Sequence, residues 1–252
     1  MMKLDSIWTQ TVKMPAFLAL HTDVKTDVLI IGGGLAGLLC AYRLTQAGVD
    51  CILVEAERIC GKTTGNTTAK ITSQHGLIYD KLLRTFGAGK AGLYLQANQA
   101  ALEEYRTLCQ GLDCDFEEKD AFVYTRTDRK KLEQEAAALE RLGFGAELVP
   151  DLPLPFPTAG AVKFPRQAQF HPLKFAAAIA KDLPIFEHTK VLELAPRAAR
   201  TSGGTVQAEA IIIATHFPLL NKHGGYFLKL YQHRSYVLAL EGAPDVGGMF
   251  LD

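Results

Sequence analysis

Six residues constrain this chain more than any others. Gly32-Gly33-Gly34-Leu35-Ala36-Gly37 fits the pattern G-x-G-x-x-G. Asp27-Val28-Leu29-Ile30-Ile31 precedes it, mostly apolar and rich in β-branched types, as a buried parallel strand is. Leu35 to Gln46 follows with helical spacing, and Gly48 suits the position just past a helix end. Cys51–Val54 is a second short apolar run, closed by Glu55. A glycine turn leading from a strand into a helix, with an acidic residue about 20 positions on, is the dinucleotide fingerprint.

Each part has a physical task. Gly32 permits the tight turn, Gly34 lets a pyrophosphate approach the backbone, and Gly37 lets the helix pack close to the strand. The free N–H groups and the positive dipole end at the helix start favour phosphate. Glu55 can accept hydrogen bonds from ribose hydroxyls. Ala56 follows it where an arginine would favour a 2′-phosphate. The motif by itself leaves open whether the ligand is FAD or NAD.

The remaining chain reads as α/β. Residues 62–73 are rich in hydroxyls and form a loop with room for a helical turn. A helix spans about 88–108, and a strand spans about 120–126. Thr127 caps a helix that runs to about Leu142 with Gly143 behind it. Four prolines within 150–158 mark a crossing segment between subdomains. A strand near 160–165, a helix over 172–180 and strands near 184–194 and 205–214 follow. Gly203-Gly204 suits a hairpin turn, and Ser235–Leu240 is strand-like.

Composition excludes several classes. Hydrophobic residues at 48% rule out disorder as the main state. Lys+Arg 27 balances Asp+Glu 27, so there is no net positive field for a dedicated nucleic-acid binder. The cysteines, at 40, 51, 60, 109 and 114, form no CxxC pair, which argues against a zinc site or disulfide framework and for a reducing cytoplasm. Cys40 and Cys51 read as small buried hydrophobes, the others as free thiols. No apolar run reaches signal-peptide or membrane-span character. Arg129-Lys130-Lys131, beside Glu133, Glu135 and Glu140, reads as a solvated helix face.

Four segments carry a family resemblance. Residues 55–70 resemble the flavin-binding loop of the D-amino-acid oxidase and glycine oxidase superfamily. Residues 185–194 resemble the strand whose backbone holds adenine there, and 206–215 its returning flavin-domain strand. Together with the glycine motif they occur in the family's order. Asn66–Gly76, Ala214–Pro218 and Gln232–Tyr236 resemble a bacterial branch whose members often carry a C-terminal Rieske domain. No suitable Cys/His pairs for such a centre occur here.

The resemblance implies an α/β fold with a Rossmann-like FAD-binding domain on a parallel sheet and an α+β substrate or cap domain, incomplete at the C-terminus. It places the FAD domain at 1–85 and 150–225, the substrate domain at 86–149, and a second crossing into it at 226–252. FAD would contact Gly32, Gly34, Leu35, Ala36 and Gly37 through its pyrophosphate and Glu55 through ribose. Lys62, Thr63 and Thr64 match the loop near ribose and phosphate. Thr68, Ala69 and Lys70 match the stretch passing the flavin ring. Val191 would pair with adenine, and Ala214 and Thr215 would lie beside the cofactor. Some relatives attach FAD through a loop histidine. Asn66 stands at the matching position, so FAD is expected to be non-covalent.

The implied reaction is hydride transfer from the carbon bearing an amine, in an amine or amino acid, to flavin N5. The cofactor carries that chemistry and needs orientation and water exclusion from the protein. His75, His216 and Arg234 are the candidate catalytic residues. Each also has a structural reading: a hydrogen-bonded histidine for the first two, an ion pair for Arg234. Lys70 could favour anionic reduced flavin or be a solvated lysine. Tyr226 and Tyr236 read as packing residues, His171 as structural, and His188 as a strand-surface side chain. Two other functions stay open: a non-catalytic or partner-dependent flavin-binding subunit, and an NAD-linked reductase. A homo-oligomer or a completing partner chain is compatible with either flavin reading.

Overall fold

The computed structural model describes residues 5–219, 225–231, 236–238 and 240–252. In chain order the first elements are α1 (Ile7–Thr11), β1 (Val24–Ile31), α2 (Leu35–Gln46), β2 (Cys51–Val54), a 3-10 turn at Thr64–Asn66, and β3 (Lys70–Ile71). Next come α3 (Tyr79–Cys109), β4 (Glu117–Tyr124), α4 (Arg129–Arg141), β5 (Glu147–Val149), β6 (Ala161–Gln169) and α5 (Pro172–Ala180). The last are β7 (Ile185–Phe186), β8 (Val191–Ala195), β9 (Ala198–Thr201), β10 (Thr205–Ile213), α6 (Tyr226–Lys229) and β11 (Met249–Leu251). They fall into two compact units. One is Met1–Thr68 with Pro172–Ala239, the other Ala69–His171 with Leu240–Asp252.

The first unit is built on a six-stranded sheet of order β7-β2-β1-β10-β9-β8. β1 lies between β2 and β10, parallel to both, so that Ile31 pairs with Val54 on one side and Ile213 on the other. β7 adds a parallel strand beside β2, while β9 and β8 continue antiparallel past β10. A parallel strand covered on both faces must be apolar on both. Leu29, Ile30, Leu53 and Val54 accordingly have no exposed surface. α2 packs on β2 and against α5, with Leu38 and Ala41 fully buried. Each such leucine contributes about 1.5–3 kcal/mol of burial.

The second unit carries a five-stranded sheet centred on the antiparallel pair β4 and β6. β11 runs parallel to β4. The other edge of β6 is shared, Ala161–Lys163 pairing with β5 and Ala168–Gln169 with β3. Tyr79, Leu132, Leu139, Val162 and Phe164 form its core.

Several sequence expectations need correction. The helix expected at 88–108 begins at Tyr79 and is interrupted at Gly87, whose φ is 76°. The α4 cap is Asp128 rather than Thr127: its carboxylate accepts from Lys131 N–H at 3.2 Å. The 62–73 loop contains both the 3-10 turn and β3, and β5 and β9 are additional strands. The proline-rich 150–158 segment stays inside the second unit instead of crossing between units. The units divide at 68/69, 171/172 and 239/240, whereas the sequence reading places divisions at 85/86, 149/150 and 225/226. Residues 69–85 and 150–171 belong with the second unit because β3 and β6 are strands of its sheet. Of the strand-like 235–240 segment, described residues 236–238 and 240 form no strand.

Candidate functional site

The fingerprint is sterically interlocked. Gly32 has φ of 108° and donates its N–H to the Val54 carbonyl at 2.9 Å. A β-carbon there would stand 2.6 Å from the Ala214 oxygen. One on Gly37 would stand 1.9 Å from the Gly32 oxygen. Gly34 differs: the nearest atom a β-carbon would meet is Thr64 Oγ1, at 3.4 Å. Two of the three motif glycines therefore close the backbone on itself, and the third leaves the helix start open.

The turn opens into a cleft of about 690 Å³, within the usual range for small-molecule sites. It lies beyond the carboxyl ends of β1, β2 and β10, where open α/β sheets bind ligands. Gly32, Gly34, Leu35, Ala36, Glu55, Lys62, Thr63, Thr64, Val191, Ala214, Thr215 and His216 all line it. Gly37 does not, since its place is against the Gly32 carbonyl.

Glu55 braces this wall. Its Oε2 accepts from Gly33 N–H at 2.7 Å and its Oε1 from Glu57 N–H at 2.9 Å. A carboxylate offers about four acceptor sites, so two remain for ribose hydroxyls. Thr64 Oγ1 accepts from Leu35 N–H at 3.2 Å and so reaches the first turn of α2. The other N–H groups of that turn lack intrahelical partners, as at any helix start. Lys62 pairs with Glu57 at 2.7 Å, but both side chains are largely exposed, so the pair adds at most about 1 kcal/mol. Open N–H groups, small residues, a hydroxyl and a partly committed carboxylate suit a dinucleotide's phosphates and ribose.

Sequence reasoning missed two supports of the cleft. Cys60, at φ 57°, donates its N–H to the Gly33 carbonyl at 2.9 Å. Burial, and then the Glu55 charge, push its thiol up to about 12. Glu187 is 1% exposed, and its carboxylate accepts from Ile59 N–H at 2.8 Å and Phe17 N–H at 3.1 Å. Both lie within segments that carry the family resemblance, 55–70 and 185–194, but no role was read for either residue. Their roles follow from the sheet order, which brings β7 beside β2.

The other expected residues lie elsewhere. Thr68 ends the first segment of the first unit and is not among the lining residues. Ala69, at φ 60°, and Lys70 belong to the second unit. Lys70 is half-buried and donates to the Phe250 carbonyl at 3.2 Å, and burial lowers its pKa. His75 also lies in the second unit, exposed, with Nδ1 2.9 Å from the Tyr94 hydroxyl. Of the two described candidate catalytic residues, His75 and His216, the second is found at the cleft, in left-handed backbone at φ 61°. Arg234 lies outside the described residues. Tyr236 is 87% exposed and Tyr226 47%, so the packing role expected of them is not what the structure shows. Cys40 is half-buried rather than core, and Cys51 is buried. Among the described residues, no helix is long and apolar enough to cross a membrane.

Known proteins resemble this arrangement. The family model described as DAO, FAD dependent oxidoreductase, matches residues 27–250. The chain is 36% identical to a Bacillus subtilis (strain 168) protein named as a Rieske 2Fe-2S iron–sulfur protein, YhfW, over 98% of this chain and 51% of that one. It is 24% identical to gamma-glutamylputrescine oxidoreductase of Escherichia coli (strain K12), over 80% of this chain and 51% of that one. It therefore spans about half the length of these curated relatives. Among solved structures, L-proline dehydrogenase from P. horikoshii superposes with a TM-score of 0.63 at 16% identity, covering 76% of this chain and 53% of that one. Glycine oxidase from Geobacillus kaustophilus gives 0.56 at 20%, covering 76% and 55%. Likeness at these identities concerns the fold.

Proposed function

Because the chain belongs to the DAO family of FAD-dependent oxidoreductases, we propose that its first unit holds FAD non-covalently in the cleft and that the protein oxidises an amine or amino acid. The observation that carries this reading is the joint placement of the open α2 start, Glu55 and Thr64 on one cleft wall. The α2 N–H groups and Thr63 would hold the pyrophosphate, Glu55 the adenosine ribose, and the Val191 backbone the adenine. Lys62 supplies positive charge beside the phosphates. Ala214 and Thr215 border the cleft beside Gly32, with His216 next to them in sequence. Asn66 donates to the Lys62 carbonyl at 2.7 Å, so an amide ties the loop where some relatives carry a histidine.

When bound, the flavin accepts the hydride from the carbon bearing the amine; the resulting imine hydrolyses in water. The protein's residues orient the reactants and exclude solvent. His216, at the cleft, would orient the substrate; the flavin-ring role of Thr68, Ala69 and Lys70 and the substrate role of His75 and Arg234 rest on the family resemblance. The names of the relatives, which include gamma-glutamylputrescine oxidoreductase and L-proline dehydrogenase, support an amine or amino-acid substrate.

A second reading rests on length. Since the chain spans about half of its curated relatives, the 252 residues can supply the FAD site while further polypeptide completes the substrate site. Further polypeptide of the same chain, a completing partner chain or a homo-oligomer are the forms this takes. Five cysteines without a disulfide support a cytoplasmic location.

The visible absorption spectrum of the purified chain tests the reading, followed by identification of any cofactor released on denaturation. Flavin bands, with FAD released and bleached anaerobically by an amine or amino acid, support it. Flavin bands that no such compound bleaches favour the second reading. A folded, colourless chain that refuses added FAD overturns both.

A further inference from the structure

Residues 5–23 precede the stretch matched by the family model, which begins at residue 27, and the reading of the cleft uses none of them. They nevertheless make contacts that lead to the segments lining it. The Trp8 indole N–H donates to the Thr67 carbonyl at 2.8 Å, at the end of the 3-10 turn that carries Thr64. α1 packs against that same turn and against α5. Phe17 N–H shares the buried Glu187 carboxylate with Ile59 N–H, one oxygen to each. Leu20 N–H donates to Thr189 Oγ1 at 3.0 Å, and Thr189 N–H donates to the Glu55 carbonyl at 2.8 Å. Three separate contacts thus end on the two ligand-facing segments, 55–60 and 62–67.

We propose that residues 5–23 form a positioning strap, in which Trp8 and Glu187 fix the 59–67 loop so that Thr64 meets the start of α2, and that FAD affinity depends on this hold. The proposal rests on the reading of the cleft as an FAD site. The chemistry favours a positioning role over simple anchoring. Trp8 is half-buried, and its indole N–H donates into the loop. Glu187 has acceptors for both donors at once. A glutamine there would present N–H to one of them and orphan it, a larger loss than one neutral hydrogen bond.

The test uses the full chain, FAD as the probe, and three variants: Trp8→Phe, Glu187→Gln and Thr64→Val. FAD dissociation constants are measured on protein shown to be folded by circular dichroism. Trp8→Phe is expected to weaken binding about fivefold, the scale of one net hydrogen bond. Glu187→Gln is expected to weaken it by about tenfold or more, the scale of a charge-assisted one. In a Thr64→Val background the Trp8 change should add little, because the two act through one contact. Amide hydrogen exchange without FAD gives an independent readout. The strap predicts faster exchange across 59–67 with β1 and α2 unchanged, whereas general destabilisation would accelerate all three.

Variants that bind FAD like the parent, or that accelerate exchange uniformly, overturn the strap and leave the FAD reading standing. A folded parent chain that binds no FAD overturns the reading itself. Trp8→Phe carries the test alone if Glu187→Gln fails to fold.

Discussion

The Gly32 carbonyl oxygen stands 1.9 Å from the point a β-carbon on Gly37 would occupy. The obstacle is backbone on both sides, so no rotamer change can make room. Gly37→Ala should therefore destabilise the first unit by about 3 kcal/mol, the upper range for an overpacked site. Urea unfolding measures this, and the purified variant should show no flavin absorbance.

Glu55 joins two strands of argument, the brace on Gly33 and the acceptors left for ribose. Glu55→Gln keeps the shape but turns one acceptor into a donor facing an N–H. FAD affinity should fall about tenfold, and stability by about 1–3 kcal/mol, as for a lost charged hydrogen bond. Fluorescence titration and denaturant midpoints give the two values. An unchanged affinity would remove Glu55 from the site.

In the second unit, Glu135 is 1% exposed and accepts from Tyr79 and Asp80 N–H at 2.8 and 2.9 Å, capping α3 from another helix. Burial raises its pKa above 4.5 despite these bonds. The folded state then holds this proton to higher pH than the unfolded state, so stability from this group is full below about 4.5 and is lost as pH rises through the raised value. Stability measured from about pH 4 to about pH 7 should fall more steeply for the parent than for Glu135→Gln. A parallel pair of curves would contradict this.

Thiol labelling checks the buried cysteines. Cys60 and Cys109 each have a thiol raised to about 12, chiefly by burial, and Cys40 alone of the five is not fully buried. Iodoacetamide at about pH 8 should modify Cys40 first and the others only as the chain unfolds. Mass spectrometry of tryptic peptides reads the order.

The βαβ start of the fold was legible because its signals are local. Val28–Ile31, the glycines and Cys51–Val54 announce themselves by residue type alone, and α5 falls on the expected residues, 172–180. The first turns of α3 were also written in the sequence, since Tyr79, Leu82, Leu83 and Phe86 keep helical spacing. The break at Gly87, with φ of 76°, divides those turns from the helix expected at 88–108. β3, two residues long, exists only because β6 passes beside it. The glycine wall followed from the motif, and Thr64 was offered by the family resemblance. Glu187 could not, because its partners Phe17 and Ile59 are 170 and 128 positions away along the chain.

The pairing of Ile31 with Ile213 has a consequence for biosynthesis. Everything from Ala69 to His171 is threaded between the two halves of the first unit. On the ribosome, the glycine turn emerges early but faces no completed wall until β10 has followed about 180 residues later, and contacts this distant in sequence form slowly. The nascent β1 edge, apolar and unpaired on that side, is thus the segment most in need of chaperone cover, while the intervening unit has all but its last strand available to fold first.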